Sequence, residues 1–480
     1  MSHLTSALAR HVCTLTPEAL PGAVRDRTAL LVLDLWGIML RARFEAESTA
    51  SFIATLGALG LDQGASRVVG QAQGCTPYGA ALLNGSLAHS LDFDDTHAAG
   101  SVHPGAPVIP AAMAAAQMPG ADPAALPAAI IAGYDVVCRL SMALVPSTHY
   151  ERGFHPTATC GVFGAAAAAG RVLGFEPPRL EAALGLCGSM AAGSMQFLEN
   201  GAWNKRWQVG AAAANGLAAA CAAQQGFVGA ATPLEGRFGF LHGYSPAPVP
   251  ERVTEALGQR FDIMETAVKP YPACRYTHAA IDGLLALRAR HALDPARIAA
   301  VTIGLPAPGI ALTGVPVQAK RRPVSVVDGQ FSMHFTGAVA LLTGGFVWDD
   351  YGRHLGCARV QALADRLEVI NDPRVEALYP RRMAASVRIE TTAGAVLETL
   401  VEIPGGEPET FPDEAGHKAK FASLVGPLMP PGAVDALTEA VLQAGRGGDL
   451  RLAFDLSLPE PGRAGYAAKA AGRAPAQADS

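Results

Sequence analysis

"HPTATCGVFGAAAAAGRVLG", residues 155–174, decides how this chain folds. A short polar head, His155-Pro156-Thr157, runs into a segment dominated by alanine and glycine. Proline suits the first turn of a helix, where its missing N–H has no partner to lose. Alanine is the strongest helix former, and small side chains let two helix axes come close. The same plan recurs in "HPGAPVIPAAMAAAQ" (103–117) and "NKRWQVGAAAANGLAAACAAQQG" (204–226). "TPYGAALLNGSLAHSL" (76–91) adds Thr76 as an N-cap, Pro77 at the first helical position, and Leu83, Leu87 and Leu91 at helical spacing. Up to about residue 265 the chain therefore reads as one helix after another.

Near Lys269 the texture changes. "AAVTIGL" (299–305) alternates like a strand, and "ASVRIETTAGAVLETLVEIP" (385–404) reads as two strands about a turn at Thr392-Ala393-Gly394. "SMHFTGAVALLTGG" (332–345) is a helix ended by glycines. Helical texture returns in "DEAGHKAKFASLVGPL" and "GAVDALTEAVLQAGR". The expected fold is mainly α: an all-helical domain from 1–266 and 406–461, and a smaller α+β domain over 267–405. Residues 462–480 have too little large apolar content to pack and are expected to be disordered.

Composition narrows the function. Charged residues are 16% of 480, against roughly 25% in an average soluble domain. The net charge is −5, so no basic field invites nucleic acid or an anionic membrane. No segment reads as a membrane span, and "VGAAAANGLAAACAA" (209–223) is small-sided rather than strongly apolar. The N-terminus lacks the long apolar core of a signal peptide, which makes the cytoplasm the default. So few charges suit a chain that hides surface in a subunit interface, so a homodimer is expected. Eight cysteines, at 13, 75, 138, 160, 187, 221, 274 and 357, form no CxxC pair, so neither a zinc site nor a disulfide framework is expected.

Against this background four stretches concentrate polar groups. "AHSLDFDDTHAAGSVHPG" (88–105) holds three aspartates and three histidines. If the helix continues through it, Asp92 and Thr96 share a face; a solvated helix end with ordinary capping would look the same. In "GFHPTATCG", His155 precedes Pro156 as His103 precedes Pro104. A histidine there sits beside free backbone N–H groups, an anion site, although two capping turns would also give the pattern. "NGAWNKRWQVG" sets Lys205 and Arg206 at the head of a small-residue helix, where surface cations are the ordinary alternative. "VKPYPACRYTHAAIDG" brings Lys269, Cys274, Arg275 and His278 to the domain boundary, either as a ligand site or as a rigid linker with incidental charges. Together the groups suit a small substrate with several carboxylates. Cations and helix N-termini would hold the acid groups while a histidine or aspartate removes a proton beside one of them.

These stretches, with "GQFSMHF" (329–335) and in this order, resemble the MmgE/PrpD family to about residue 457. The resemblance implies a large helical domain with a smaller α+β lid, a homodimer, an active site in the cleft between domains, and turnover of small polycarboxylates without metal or organic cofactor. It puts Asp92, Thr96, His103, His155, Lys205 and Lys269 in that cleft. We take His103, Asp92, His155 and Lys205 as catalytic, with His103 the general base and Asp92 its charge partner. Thr96, Lys269, Arg206, Cys274, Arg275 and His278 are taken as substrate-binding. Cys274 and Phe335 replace a histidine and a tyrosine of the cis-aconitate decarboxylase branch. "DDTH" and "SVHPGA" depart from the Asn-Asp-Thr and Trp-Gly-His-Pro-Ser runs of bacterial 2-methylcitrate dehydratases. The expected activity is a 2-methylcitrate-dehydratase-like hydro-lyase. The alternative is an iminodisuccinate-epimerase-like isomerase using the same proton abstraction. A cis-aconitate-decarboxylase-like lyase and a non-enzymatic scaffold rank below these.

Overall fold

A computed structural model describes residues 4–199 and 201–459; the tail expected to be disordered lies outside them. The chain divides into two compact units. One comprises the residues up to Ala267 and those from Glu414 on, and the other is Val268–Asp413. Residues 406–413, whose texture groups them with the helical part, fall in the second unit. There the Val268 N–H donates to the Gly406 carbonyl.

The first unit is helical, and its centre is the set of small-residue helices: Pro77–Ala88, Gly105–Ala116, Leu126–Leu144, Pro156–Val172 and Asn204–Gln224. They pack on one another along their alanine and glycine faces. The approach is close enough that a Cβ on Gly210 would run into the Leu82 carbonyl and Ser86 Oγ, and one on Gly216 would meet the Val162 carbonyl at 2.6 Å. Thr76 caps its helix by accepting the Gly79 N–H, an interaction worth about 1 kcal/mol. The long helix Gly22–Glu45 carries the fully buried Trp36, whose indole N–H donates to Ser457 Oγ at 2.8 Å. The C-terminal helices Glu414–Val425 and Pro431–Gly445 pack against it.

Contrary to the expectation that no segment reads as a membrane span, Pro123–Leu144 is long and apolar enough to cross one by length and composition, but 94% of its apolar window is buried in the fold. It also carries two buried charges. Asp135 meets His11 Nε2 at 2.9 Å, and Arg139 meets Asp262 at 2.9 Å. Its hydropathy is that of a core helix.

The second unit is built on a four-stranded mixed sheet in the order Leu367–Asn371, Ile298–Leu305, Ala385–Thr391, Val396–Val401. The first pair is parallel and the others antiparallel. The helices His278–Arg290 and Met333–Thr343 pack on this unit's strands, and Gly344 ends the latter in a left-handed conformation, φ 85°. The strand 367–371, "LEVIN", has no clean alternation and so no strand signal of its own.

Candidate active site

The helix Pro77–Ala88 stops one residue before His89, so Asp92 and Thr96 do not share a helical face as expected. Residues 89–95 turn instead, with Asp92 held at φ 52°. A non-glycine residue there costs on the order of 1–3 kcal/mol, and such strain clusters at functional sites. Thr96 and His97 then form a short strand paired with Thr266–Ala267. The turn separates three aspartates that the sequence runs together. Asp92 meets Lys205 Nζ at 3.0 Å. Asp94 is fully buried and faces two imidazoles, His89 Nδ1 at 2.6 Å and His103 Nδ1 at 3.4 Å. Asp95 accepts the Tyr134 hydroxyl at 2.7 Å and the Gly105 N–H at 3.2 Å, which fixes the start of the helix after His103. The charge partner of His103 is thus Asp94, not Asp92. The reason is the turn: it sends alternate carboxylates to different neighbours.

The two His-Pro stretches meet. His155 is the N-cap residue of Pro156–Val172, and Thr157 in its first turn accepts the His103 backbone N–H at 3.1 Å. His89 lies between the other two imidazoles, with ring centroids 4.8 Å from His103 and 5.7 Å from His155. Lys205, in the first turn of Asn204–Gln224, completes the group through Asp92.

Hydrogen bonding sets the proton on two of the three rings. Burial pushes the His89 pKa down to about 4, outweighing the upward pull of Asp94. Neutral His89 therefore donates from Nδ1 to Asp94, and its Nε2 keeps a lone pair with no protein partner among the described residues. Burial acts to raise the Asp94 pKa, but the two imidazoles beside it outweigh burial and hold the carboxyl well below its usual range. Gln208 Oε1 accepts the Ser194 N–H at 3.1 Å, so its amide nitrogen donates to His155 Nδ1 at 2.8 Å. The His155 proton is thereby fixed on Nε2, where it serves as a donor. Burial, reinforced by His89 and Lys205, holds its pKa well below the ordinary value. Burial also acts to lower the Lys205 pKa, but Asp92 and Asp94 more than offset this, and the amine stays an ammonium. The cluster offers one imidazole, His103, with Nδ1 toward a carboxylate and side-chain exposure of 17%. It also offers one N–H donor and one cation. That set can take a proton from carbon, hydrogen-bond a developing oxyanion and hold a carboxylate.

Of the residues expected from sequence, the fold brings together Asp92, His103, His155 and Lys205, and places Thr96 two residues from Asp94. Arg206, one residue and about 100° round the helix from Lys205, gives its guanidinium to Ser48 Oγ at 2.9 Å. Lys269, Cys274, Arg275 and His278 belong to the second unit. There Lys269 and Cys274 are buried, Arg275 pairs with Glu407, and His278 Nε2 donates to the Ala273 carbonyl at 3.1 Å. His89, Asp94 and Gln208 were missed. His89 and Asp94 stand in the quoted stretch, but only the turn reveals their partner; nothing in the sequence marks Gln208.

His89, Asp94 and His103 present three ligating atoms within 4.8 Å of one another, a spacing that a divalent cation can use. The His89–Asp94 contact of 2.6 Å is a direct hydrogen bond. It is shorter than the ~3.3 Å between two ligands at tetrahedral zinc distances. The donor set fits an acid–base pair better than a metal. Turnover is therefore expected to survive exhaustive chelation; loss restored by one divalent ion alone would assign these residues to a metal.

A mainly helical protein with a buried acid–base cluster of three imidazoles, two carboxylates and an ammonium is the class that fold and site define. The chain belongs to the MmgE/PrpD family: the family's N-terminal domain matches residues 6–252 and its C-terminal domain residues 271–444. It is 29% identical over 451 residues to the cis-aconitate decarboxylase-like protein oryM of Aspergillus oryzae, covering 88% of this chain and 91% of that one. It is 26% identical over 483 residues to the cis-aconitate decarboxylase of Aspergillus terreus, covering 95% and 96%. It is 29% identical over 310 residues to the human cis-aconitate decarboxylase, covering 62% of each.

Proposed function

We propose that this protein is a lyase that removes a proton next to a carboxylate of a small di- or tricarboxylic acid and expels water from the neighbouring carbon. The observation that carries the reading is the buried Asp94 carboxylate facing His103, with Lys205 held nearby by Asp92. His103 takes the proton through Nε2, and the imidazolium formed faces Asp94; as the C–O bond breaks it returns that proton to the departing hydroxyl, which leaves as water. The Lys205 ammonium holds a substrate carboxylate, and His155 Nε2–H donates to the oxygen on which charge develops. Preorganised donors of this kind need no reorganisation as the charge appears.

Decarboxylation is the second reading, favoured by the similarity to cis-aconitate decarboxylases. Against it stand Cys274 and Phe335, at positions where the resemblance implies histidine and tyrosine in that branch. The test is to incubate the protein with citrate, methylcitrate, aconitate, tartrate and iminodisuccinate in deuterated water and follow the products by NMR. Loss of water to an olefin supports the first reading, and loss of carbon dioxide supports the second. Deuterium entry with inversion and no other change identifies an epimerase. No turnover, together with no ligand-dependent rise in melting temperature across the panel, would leave the cluster without a substrate and favour a scaffold.

Lys205→Ala tests the clamp. A hydrogen bond to a charged group is worth about 1.5–3 kcal/mol, so kcat/KM is expected to fall by about one to two orders of magnitude. A folded Lys205→Ala protein with native kcat/KM would remove this residue from the site.

A further inference from the structure

Lys420 lies on the helix Glu414–Val425, more than three hundred residues along the chain from the 89–95 turn and within the same compact unit. Its ammonium makes three contacts at once. It pairs with Asp34 Oδ1 at 2.7 Å, donates to the Phe93 carbonyl at 3.1 Å and sits 3.8 Å from the centre of the Phe93 ring. All three groups are largely shielded: the Lys420 side chain is 11% exposed, Asp34 2%, and Phe93 is buried. Phe93 separates Asp92, which holds Lys205, from Asp94, which holds His89 and His103.

We infer that Lys420 is a positioning residue for the site: through the Phe93 carbonyl and ring it fixes the turn that aims Asp92 and Asp94 at their separate partners. An ion pair with Asp34 alone would need only one of the ammonium's three donors. The bond to a backbone carbonyl between two site carboxylates is what links it to the chemistry. That carbonyl belongs to the residue following one at φ 52°, a conformation the surroundings must enforce. Lys420 grips the turn by a charged hydrogen bond and a cation–π contact, both strengthened by burial. The inference rests on the reading of this cluster as an active site.

The test compares Lys420→Met with Lys420→Arg in the full chain. Methionine keeps the length and removes the charge; arginine keeps the charge and the donors. Folding is checked by melting. With whichever acid of the panel the native protein turns over, Lys420→Met is expected to lower kcat by roughly 10- to 100-fold, the scale of a misplacement by about 1 Å. KM should rise as well, because Asp92 holds the Lys205 clamp from the same turn, and Lys420→Arg should recover most of both. A second readout needs no turnover. In the histidine-labelled protein, the NMR signal of the His89 Nδ1 proton bonded to Asp94 should shift or broaden in Lys420→Met and return in Lys420→Arg. If Lys420→Met fails to fold because Asp34 is left buried and unpaired, the double variant Asp34→Asn/Lys420→Met removes both charges and is read the same way. A folded Lys420→Met or double variant with native kcat and a native His89 signal overturns the inference. If the native protein turns over none of the acids, the proposed function fails, and the His89 signal still decides whether Lys420 positions the turn.

Discussion

His103→Ala is expected to lower kcat by between about 10²- and 10⁴-fold, the usual cost of losing a general base. The sequence singles out His103 as a ring before a small-residue helix. The fold adds that its Nδ1 lies 3.4 Å from the buried Asp94 carboxylate, so Nε2, on the other side of the ring, is the nitrogen proposed to take the proton. The competing roles separate when exchange of the substrate C–H is followed in deuterated water at saturating substrate. A variant without its base loses exchange and turnover together. A variant that has lost only a clamp binds more weakly but still exchanges once saturated. Exchange at the native rate in saturated His103→Ala would exclude His103 as the base. His89, whose Nε2 carries an unpartnered lone pair, would then be the better candidate, since His155 presents a proton there instead.

Asp94→Asn carries the second large effect. The amide is nearly isosteric, and its oxygen can still accept the His89 Nδ1–H, so the fold should survive. What disappears is the negative charge that stabilises His103 when it becomes an imidazolium. The expected loss in kcat is roughly 10²-fold or more, with KM little altered. Equal rates in the two proteins would mean that Asp94 only holds the turn together. The cluster also contributes to the pH dependence of stability. His89 has a folded pKa of about 4 against the ordinary 6.5. Below pH ~6.5 the unfolded chain takes up a proton there that the folded chain refuses. The His89 contribution to stability should fall by roughly 3 kcal/mol as pH drops from about 6.5 toward 4, opposed over the same window by Asp95, whose carboxyl burial pushes up to about 8. Asp94, held low in the fold, adds a further loss at still lower pH that Asp94→Asn should abolish. The check is the difference between the native protein and His89→Gln: the same pH dependence of melting in both across that window would contradict a neutral, buried His89.

Sequence alone was enough to determine the helical core and several local ends. Alanine and glycine runs behind Thr76-Pro77 and His155-Pro156 can do little but form closely packed helices, because the capping chemistry is local and the small side chains exclude other packings. The alternation in 299–305 and 385–401 fixed three strands for the same reason, and the order of the polar stretches carried the family. What sequence could not determine is which polar group meets which. Asp92, Asp94 and Asp95 are near neighbours of one type, and local rules cannot assign them to Lys205, to His89 and His103, and to Tyr134. A turn with one residue at positive φ makes that assignment, and it depends on long-range contacts. Gln208 fixes the proton on His155 from the first turns of another helix, and Lys420 reaches the turn from near the C-terminus. Such pairings cost chain entropy that only the assembled core repays, so they exist in the tertiary structure and leave no periodic mark in the sequence.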